Sequence, residues 1–256
     1  IQADCQINRS PVHWEASKGR LRRQRTPAWT ASEIREVGSQ LRLQVQDHAE
    51  GRTSEPEILP MLGYYGTGRL WAAERLTEKR RKQVKPDTSR TGGYSDCLSP
   101  NSRFGLFEVW FGRMSIDAFM EGFQEEPSAH RPKEKLQAVR SAVDALLRPT
   151  GWHSLMLDAN TDAIDAKHPE HGRLPVSMLS DGIRMMIGLV GDIAHRCTRL
   201  NPHFGADAAQ LTPGVVMIDE VDMHLHPEWQ QLVLKGLTDA FPRIQFIVTT
   251  HSPQVL

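Results

Sequence analysis

Several things are missing from this sequence, and each absence narrows what the protein can be. Cysteine is scarce: Cys5, Cys97 and Cys197 lie far apart and no CxxC pair occurs. That excludes a disulfide framework and the usual cysteine metal-ligand spacings, and predicts reduced thiols in a cytosolic protein. No apolar run approaches the roughly 20 residues that a membrane-spanning helix needs. No signal peptide opens the chain, so neither a membrane nor export is expected. Neither sign of charge is in excess, since 31 basic side chains balance 31 acidic ones. A general electrostatic pull on nucleic acid is therefore excluded, and only local patches could supply one. No internal repeat is present, and the dipeptide Gly-Lys occurs nowhere. The chain starts at Ile1 and stops at Leu256 directly after an apolar strand and a short loop. A stretch cut from a longer protein is the expectation.

What is present suits a packed α/β domain. Hydrophobic residues make up 39% of the 256 and charged residues 24%, enough to build one large core. Apolar positions three and four apart predict an amphipathic helix over Ser32–Val45, with Ser32 as its cap. Ile58–Tyr65 reads as a strand feeding a glycine turn at Gly66-Thr67-Gly68, and a helix starts near Leu70. Thr91–Asn101 reads as a loop. Helices follow over about 103–123 and 133–148, then a strand over Trp152–Leu157 and a loop or hairpin over Asn160–Arg173. The last third alternates: helix at Asp181–Arg199, buried strand at Gly214–Ile218, helix at Pro227–Phe241, buried strand at Ile244–Thr249. Strand, helix and strand within about forty residues is a βαβ unit, which favours a parallel sheet.

Three segments carry chemistry. Val215-Val216-Met217-Ile218 is an apolar strand that ends in Asp219-Glu220, a Walker B pattern. Such a strand holds acids at the carboxyl edge of the sheet, where ligands of parallel α/β folds bind. Asp219 suits Mg2+, which takes few carboxylates beside phosphate oxygens. Glu220 suits a general base for an attacking water. The next strand ends in Thr249-Thr250-His251-Ser252, where an imidazole can hydrogen-bond a terminal phosphate or that water. Leu179-Ser180-Asp181-Gly182 opens a helix. Ser180 reads as its cap, Gly182 allows close backbone approach, and free N–H groups at a helix start attract phosphate. Taken singly, these are an acidic turn, a loop histidine and an ordinary capped helix; their order and contexts together point to a nucleotide site.

The segments LSDGIR, GVVMIDEVDMHLHPEWQ and FPRIQFIVTTHSPQVL resemble the SMC/RecF-like branch of ABC ATPases. More narrowly they resemble the stand-alone ATPases of bacterial anti-phage systems, notably Septu and retron-associated ATPases. Tyr64–Trp71 and Arg90–Asn101 share the narrower likeness. The resemblance implies an α/β head of the P-loop NTPase type: an N-terminal sheet part at 1–65, a helical signature lobe with insertions at 66–180, and a core at 181–256. It implies ATP and Mg2+ as cofactors, with Asp219 at the metal, Glu220 as catalytic base and His251 as switch histidine. Ser180 and Gly182 would contact ATP bound to a second copy, and Asp222 would lie in the D-loop at the interface of that head-to-head homodimer, from which higher oligomers could be built. Bacterial anti-phage defence is implied as the role, with a partner effector such as an HNH nuclease or retron components.

Departures matter as much. The signature reads LSDGIR in place of LSGGQ, no Q-loop glutamine is recognisable, and no GxxxxGK[ST] occurs. Gly66-Thr67-Gly68-Arg69 lacks both the spacing and the lysine. A Walker A loop upstream of Ile1 is the expectation. His224 and His226 lack a third ligand nearby in sequence and read as structural. The basic clusters Lys18–Arg25 and Lys79–Lys85 leave nucleic-acid contact open. Two rivals follow: a RecF-like DNA-clamping ATPase, and an ATP-sensing scaffold with little turnover. A Toprim domain beyond Leu256 is a further alternative.

Overall fold

A computed structural model describes residues 2–7, 10–15, 32–69, 89–99, 104–123 and 131–255. The helix read from Leu70 and both basic clusters lie outside these residues. The chain divides into two units, Ile1–Glu57 and Ile58–Leu256. In the first, β1 (Gln2–Ile7) and β2 (Ser10–Glu15) form an antiparallel hairpin. A helix, α1, covers Ser32–Ala49. It begins at Ser32, the residue read from the sequence as its cap.

The second unit opens with β3 (Met61–Tyr65), followed by tight 3-10 turns at Thr67–Arg69 and Arg90–Tyr94. Next come α2 (Phe104–Glu121), α3 (Pro132–Leu147), and three strands, β4 (His153–Asp158), β5 (Ala163–His168) and β6 (Gly172–Pro175). The C-terminal part holds α4 (Asp181–Leu200), the one-turn α5 (Ala208–Leu211), β7 (Gly214–Ile218), α6 (Pro227–Gln230), α7 (Val233–Ala240) and β8 (Ile244–Val248).

Two sheets result. One is parallel, in the order β3-β7-β8, with Met61 opposite Gly214 and Gly214 opposite Ile244. The βαβ unit read from the sequence is therefore present, and β3 adds a strand on its other side. The second sheet, β4-β5-β6, is antiparallel. It resolves the loop-or-hairpin alternative at 160–173 as a hairpin. It also gives the stretch between β3 and α4 a sheet in addition to helices. The helix expected over Pro227–Phe241 is interrupted at Gln231 and Leu232. There the Leu232 N–H bonds the Trp229 carbonyl three residues back, at 3.1 Å, so one tight turn splits α6 from α7.

Helix α4 is the spine of the unit. Fifteen of its residues are buried, because α2, α3, β3 and the turn at Arg90–Tyr94 all pack against it. Helix α2 crosses it at Gly191, where a Cβ would come within 2.5 Å of the Phe107 ring; only glycine allows that approach. Inside this helix sits a carboxylate, Asp192, only 7% exposed. It accepts hydrogen bonds from the Tyr65 hydroxyl and from Arg196 Nε, both at 2.8 Å. Arg196 in turn donates to the carbonyls of Gly93 at 2.7 Å and Ser95 at 3.0 Å. One buried ion pair thereby ties the end of β3, the spine and the 89–99 segment together. Burial first, and the neighbouring Asp192 second, hold the Tyr65 hydroxyl well above the ordinary tyrosine pKa, so it stays a donor.

Candidate functional site

The three parallel strands end together. The N–H of Asp219, just past β7, bonds the carbonyl of Tyr65 at the end of β3, at 2.8 Å. On the other side the Thr249 N–H reaches the Ile218 carbonyl at 3.0 Å, and the Val221 N–H reaches the Thr249 carbonyl at 3.0 Å. The parallel pairing thus continues one step beyond β7 and β8, carrying Asp219, Glu220 and Thr249 to one edge. Thr67–Arg69, after β3, leaves from the same edge.

Two threonines lock the acids. The Thr249 hydroxyl donates to Asp219 Oδ1 in a short bond and accepts the Glu220 N–H at 2.8 Å. Its neighbour Thr250 donates to Asp222 Oδ1 at 2.5 Å. The sequence marked these threonines only as the tail of an apolar strand; two adjacent hydroxyls at a strand tip were the available signal. Glu220 itself has φ of 49° and His224 φ of 61°, the left-handed region that costs a non-glycine residue about 1 kcal/mol or more. Strained backbone therefore brackets the turn Val221–Met223.

His251 faces Glu220, with Nε2 at 3.9 Å from Oε1. Both side chains are open to solvent, the histidine 89% and the glutamate 39%. The imidazole and the two acids are thus on one edge of one sheet, as the sequence reading required.

Ser180 occupies the position before α4 with extended ψ of 152°, but its side chain makes no capping bond. The capping role read from sequence is corrected: Ser180 is exposed, and the helix start is not closed by its hydroxyl. Gly182 is buried, and a Cβ there would come within 2.5 Å of the His224 carbonyl. Its close approach is made to the protein's own turn after the acids. The start of α4 and the turn after the acids are therefore in contact within one chain. Leu225 behind that turn packs beside Ile183, Met186, Trp229 and Val233 around a shared apolar crevice, so α4, α6 and α7 support the turn jointly.

Among the described residues, no three His, Cys, Asp or Glu side chains gather so as to hold a metal ion alone. Asp219 offers a carboxylate at a strand tip, oriented by the Thr249 hydroxyl. Such a hard oxygen donor fits Mg2+, which takes its remaining ligands from water and phosphate. His226 Nδ1 lies 3.8 Å from Glu228 Oε2, and His224 shapes the turn through its backbone. Among the described residues, no helix is long and apolar enough to cross a membrane.

Residues 31–256 match the family described as "AAA domain, putative AbiEii toxin, Type IV TA system". The chain is 50% identical over 238 residues to the "Retron Vc95 probable ATPase" of Vibrio cholerae serotype O1 biovar El Tor, covering 77% of this chain and 45% of that protein. It is 25% identical over 190 residues to the "Septu protein PtuA" of Bacillus thuringiensis, covering 72% of this chain and 45% of that protein. Among solved structures, the "SMC head domain from Thermotoga maritima" aligns over 46% of this chain and 37% of its own at 22% identity, with a TM-score of 0.32. The chain spans about half the length of these two curated relatives.

Proposed function

The chain belongs to this AAA-domain family, and from that premise we propose that it is the nucleotide-hydrolysing part of an anti-phage defence ATPase, acting on ATP with Mg2+ between two copies of itself. One observation carries the reading: two carboxylates and an imidazole from neighbouring strand tips meet on one sheet edge, with Thr249 bonded to the Asp219 carboxylate and the Glu220 N–H and His251 facing Glu220 at 3.9 Å. Asp219 is the residue that holds Mg2+, and the ion when bound neutralises phosphate charge. Glu220 takes the proton of the attacking water. His251, beside Glu220, donates to the terminal phosphate or orders that water. Ser180 is exposed, and its helix start reaches the ATP held by the facing copy. Gly182 serves the same contact by letting that helix start sit against the turn after the acids. Asp222 lies at the interface between the two copies. These 256 residues hold no GxxxxGK[ST] loop to cradle the phosphates. By the resemblance to retron and Septu ATPases, the chain governs a partner effector such as an HNH nuclease or retron components.

The test is Glu220→Gln in the intact protein. Hydrolysis should fall by about 100-fold or more, the lower range for loss of a general base, while ATP binding persists. An ATP-bound dimer should accumulate, visible as a mass doubling by light scattering. Turnover that survives the substitution removes Glu220 as the base. Loss of turnover with no ATP-dependent dimer removes the two-copy site.

A further inference from the structure

His251 owes little of its placement to contacts of its own side chain. Its side chain is 89% exposed, and Glu220 Oε1 lies 3.9 Å away, beyond hydrogen-bond range. Freely mobile in water, an imidazole on a loop would spend little time at the orientation that chemistry needs. The residues on either side of it, however, are fixed by a closed ring of polar contacts. Thr250 donates to Asp222 Oδ1 at 2.5 Å and accepts the Ser252 N–H at 3.0 Å. The Ser252 hydroxyl donates to Gln230 Oε1 at 2.6 Å. The Gln230 amide then returns to the starting loop, donating to the Leu225 carbonyl at 3.0 Å and, at the longer distance of 3.5 Å, to the Asp222 carbonyl.

We propose that Gln230, at the end of α6, is a positioning residue: its amide latches the 222–225 turn to the 250–252 loop and so sets where His251 stands relative to Glu220. A carboxamide suits this task because one end accepts and the other donates. Glutamate could keep only the bond from Ser252, and an aliphatic residue could keep neither. Gln230 stands on a helical turn, while both segments that it joins are loops, so its amide ties the two to one element. The kinetic consequence rests on the ATPase reading; the effect on the loop does not.

The experiment uses the intact protein with Gln230→Leu, and Ser252→Ala as a second variant that breaks the same link from the other side. Amide hydrogen exchange over residues 249–254 reads the loop directly and should rise in both variants while exchange in α4 stays at the wild-type rate. Turnover should fall by roughly 10- to 100-fold with the ATP binding constant within about 2-fold, as for misplacement of a catalytic group. In a His251→Ala background, Gln230→Leu should cost nothing more, because the two act as one unit. Unchanged exchange in 249–254 overturns the latch, and so does an equal loss of turnover with and without His251. If exchange rises as expected but the wild-type protein does not hydrolyse ATP, the latch stands and the ATPase reading falls.

Discussion

Replacing Asp192 with alanine should be the costliest single polar change in the spine. Its carboxylate is 7% exposed and accepts two bonds of 2.8 Å, one from the Tyr65 hydroxyl and one from Arg196 Nε. Taking it away leaves the Arg196 side chain, itself only 11% exposed, without its counter-charge. Breaking a buried pair from one side costs about 3–5 kcal/mol. Arg196 keeps its bonds to the Gly93 and Ser95 carbonyls, which places the expected loss near the lower end, about 3 kcal/mol. That is a large fraction of the ~5–15 kcal/mol by which a domain is stable. Tyr65→Phe removes only one bond to a charged acceptor, worth about 1.5–3 kcal/mol, and leaves the ion pair intact.

Replacing both charges with leucine should recover part of the loss, since no lone buried charge remains. Urea titration at pH 7, followed by tryptophan fluorescence, gives the three values from the midpoint and slope. A loss below about 1 kcal/mol for Asp192→Ala, or a double variant no better than the single one, would refute the assignment of this pair as a structural tie.

Two further outcomes follow from buried polar groups. Asn201 is fully buried, with its amide bonded to both the N–H and the carbonyl of Leu59 at 2.8 Å and to the Thr212 hydroxyl at 3.1 Å. Asn201→Ala strands the two backbone groups of Leu59 and should cost about 2–4 kcal/mol by the same urea titration; a cost under ~0.5 kcal/mol would mean that water takes over these bonds. His195 is partly exposed as a residue, yet its ring stacks on Trp110 with centroids 4.2 Å apart, and its Nε2 is buried without a hydrogen-bond partner. Burial, outweighing the nearby Asp192, pulls its pKa from 6.5 to about 3. Between these values the unfolded chain binds a proton that the folded one refuses, so this contribution is complete above pH 6.5 and is lost as the pH falls. At pH 5 the loss should be about 2 kcal/mol relative to pH 7, and His195→Phe should remove that part of the slope; an unchanged slope in the variant would show that another group is responsible.

The parts of the fold legible in the sequence are those whose cause is local. Gly214–Ile218 and Ile244–Val248 are apolar runs bounded by turn residues, and each strand lies where its pattern puts it. The places of Asp219, Glu220 and His251 at strand ends were legible because each follows an apolar run, whereas a chemical role was suggested only by their order together, since an acidic turn or a loop histidine is common by itself. The supports of the site were not legible, because their partners are distant in sequence. Asp192 interrupts an apolar helix, and nothing nearby shows that its partner is Tyr65, 127 positions away. Asn201 follows the same helix, and its partner Leu59 lies 142 positions earlier. Gln230 sits in a helix start that looks solvated, and its function as a bridge appears only once two loops are side by side. The break at Gln231 and Leu232 was hidden for the opposite reason. Apolar spacing runs on through Trp229, Val233 and Leu237, so local periodicity conceals a local interruption.

The division of labour between these groups says something about how the site works. Polar groups that tie the scaffold together, such as Asp192 and Asn201, are buried, where each bond is strong because water is absent. The groups read as chemical are in the reverse condition, with Glu220 39% and His251 89% exposed. In bulk water a charge at 4 Å is worth only about 1 kcal/mol to its neighbour, and at an effective dielectric of 20 about four times that. An edge this open can hold its acids in register but cannot give them much electrostatic force. For the proposed hydrolysis, the missing element is therefore a cover that expels water once nucleotide is present. In the proposed reaction, the exposed Ser180 helix start would offer a surface to a facing copy, and the strained turn at Glu220 and His224, in contact with that helix start at Gly182, would hold the base in place until that copy arrives.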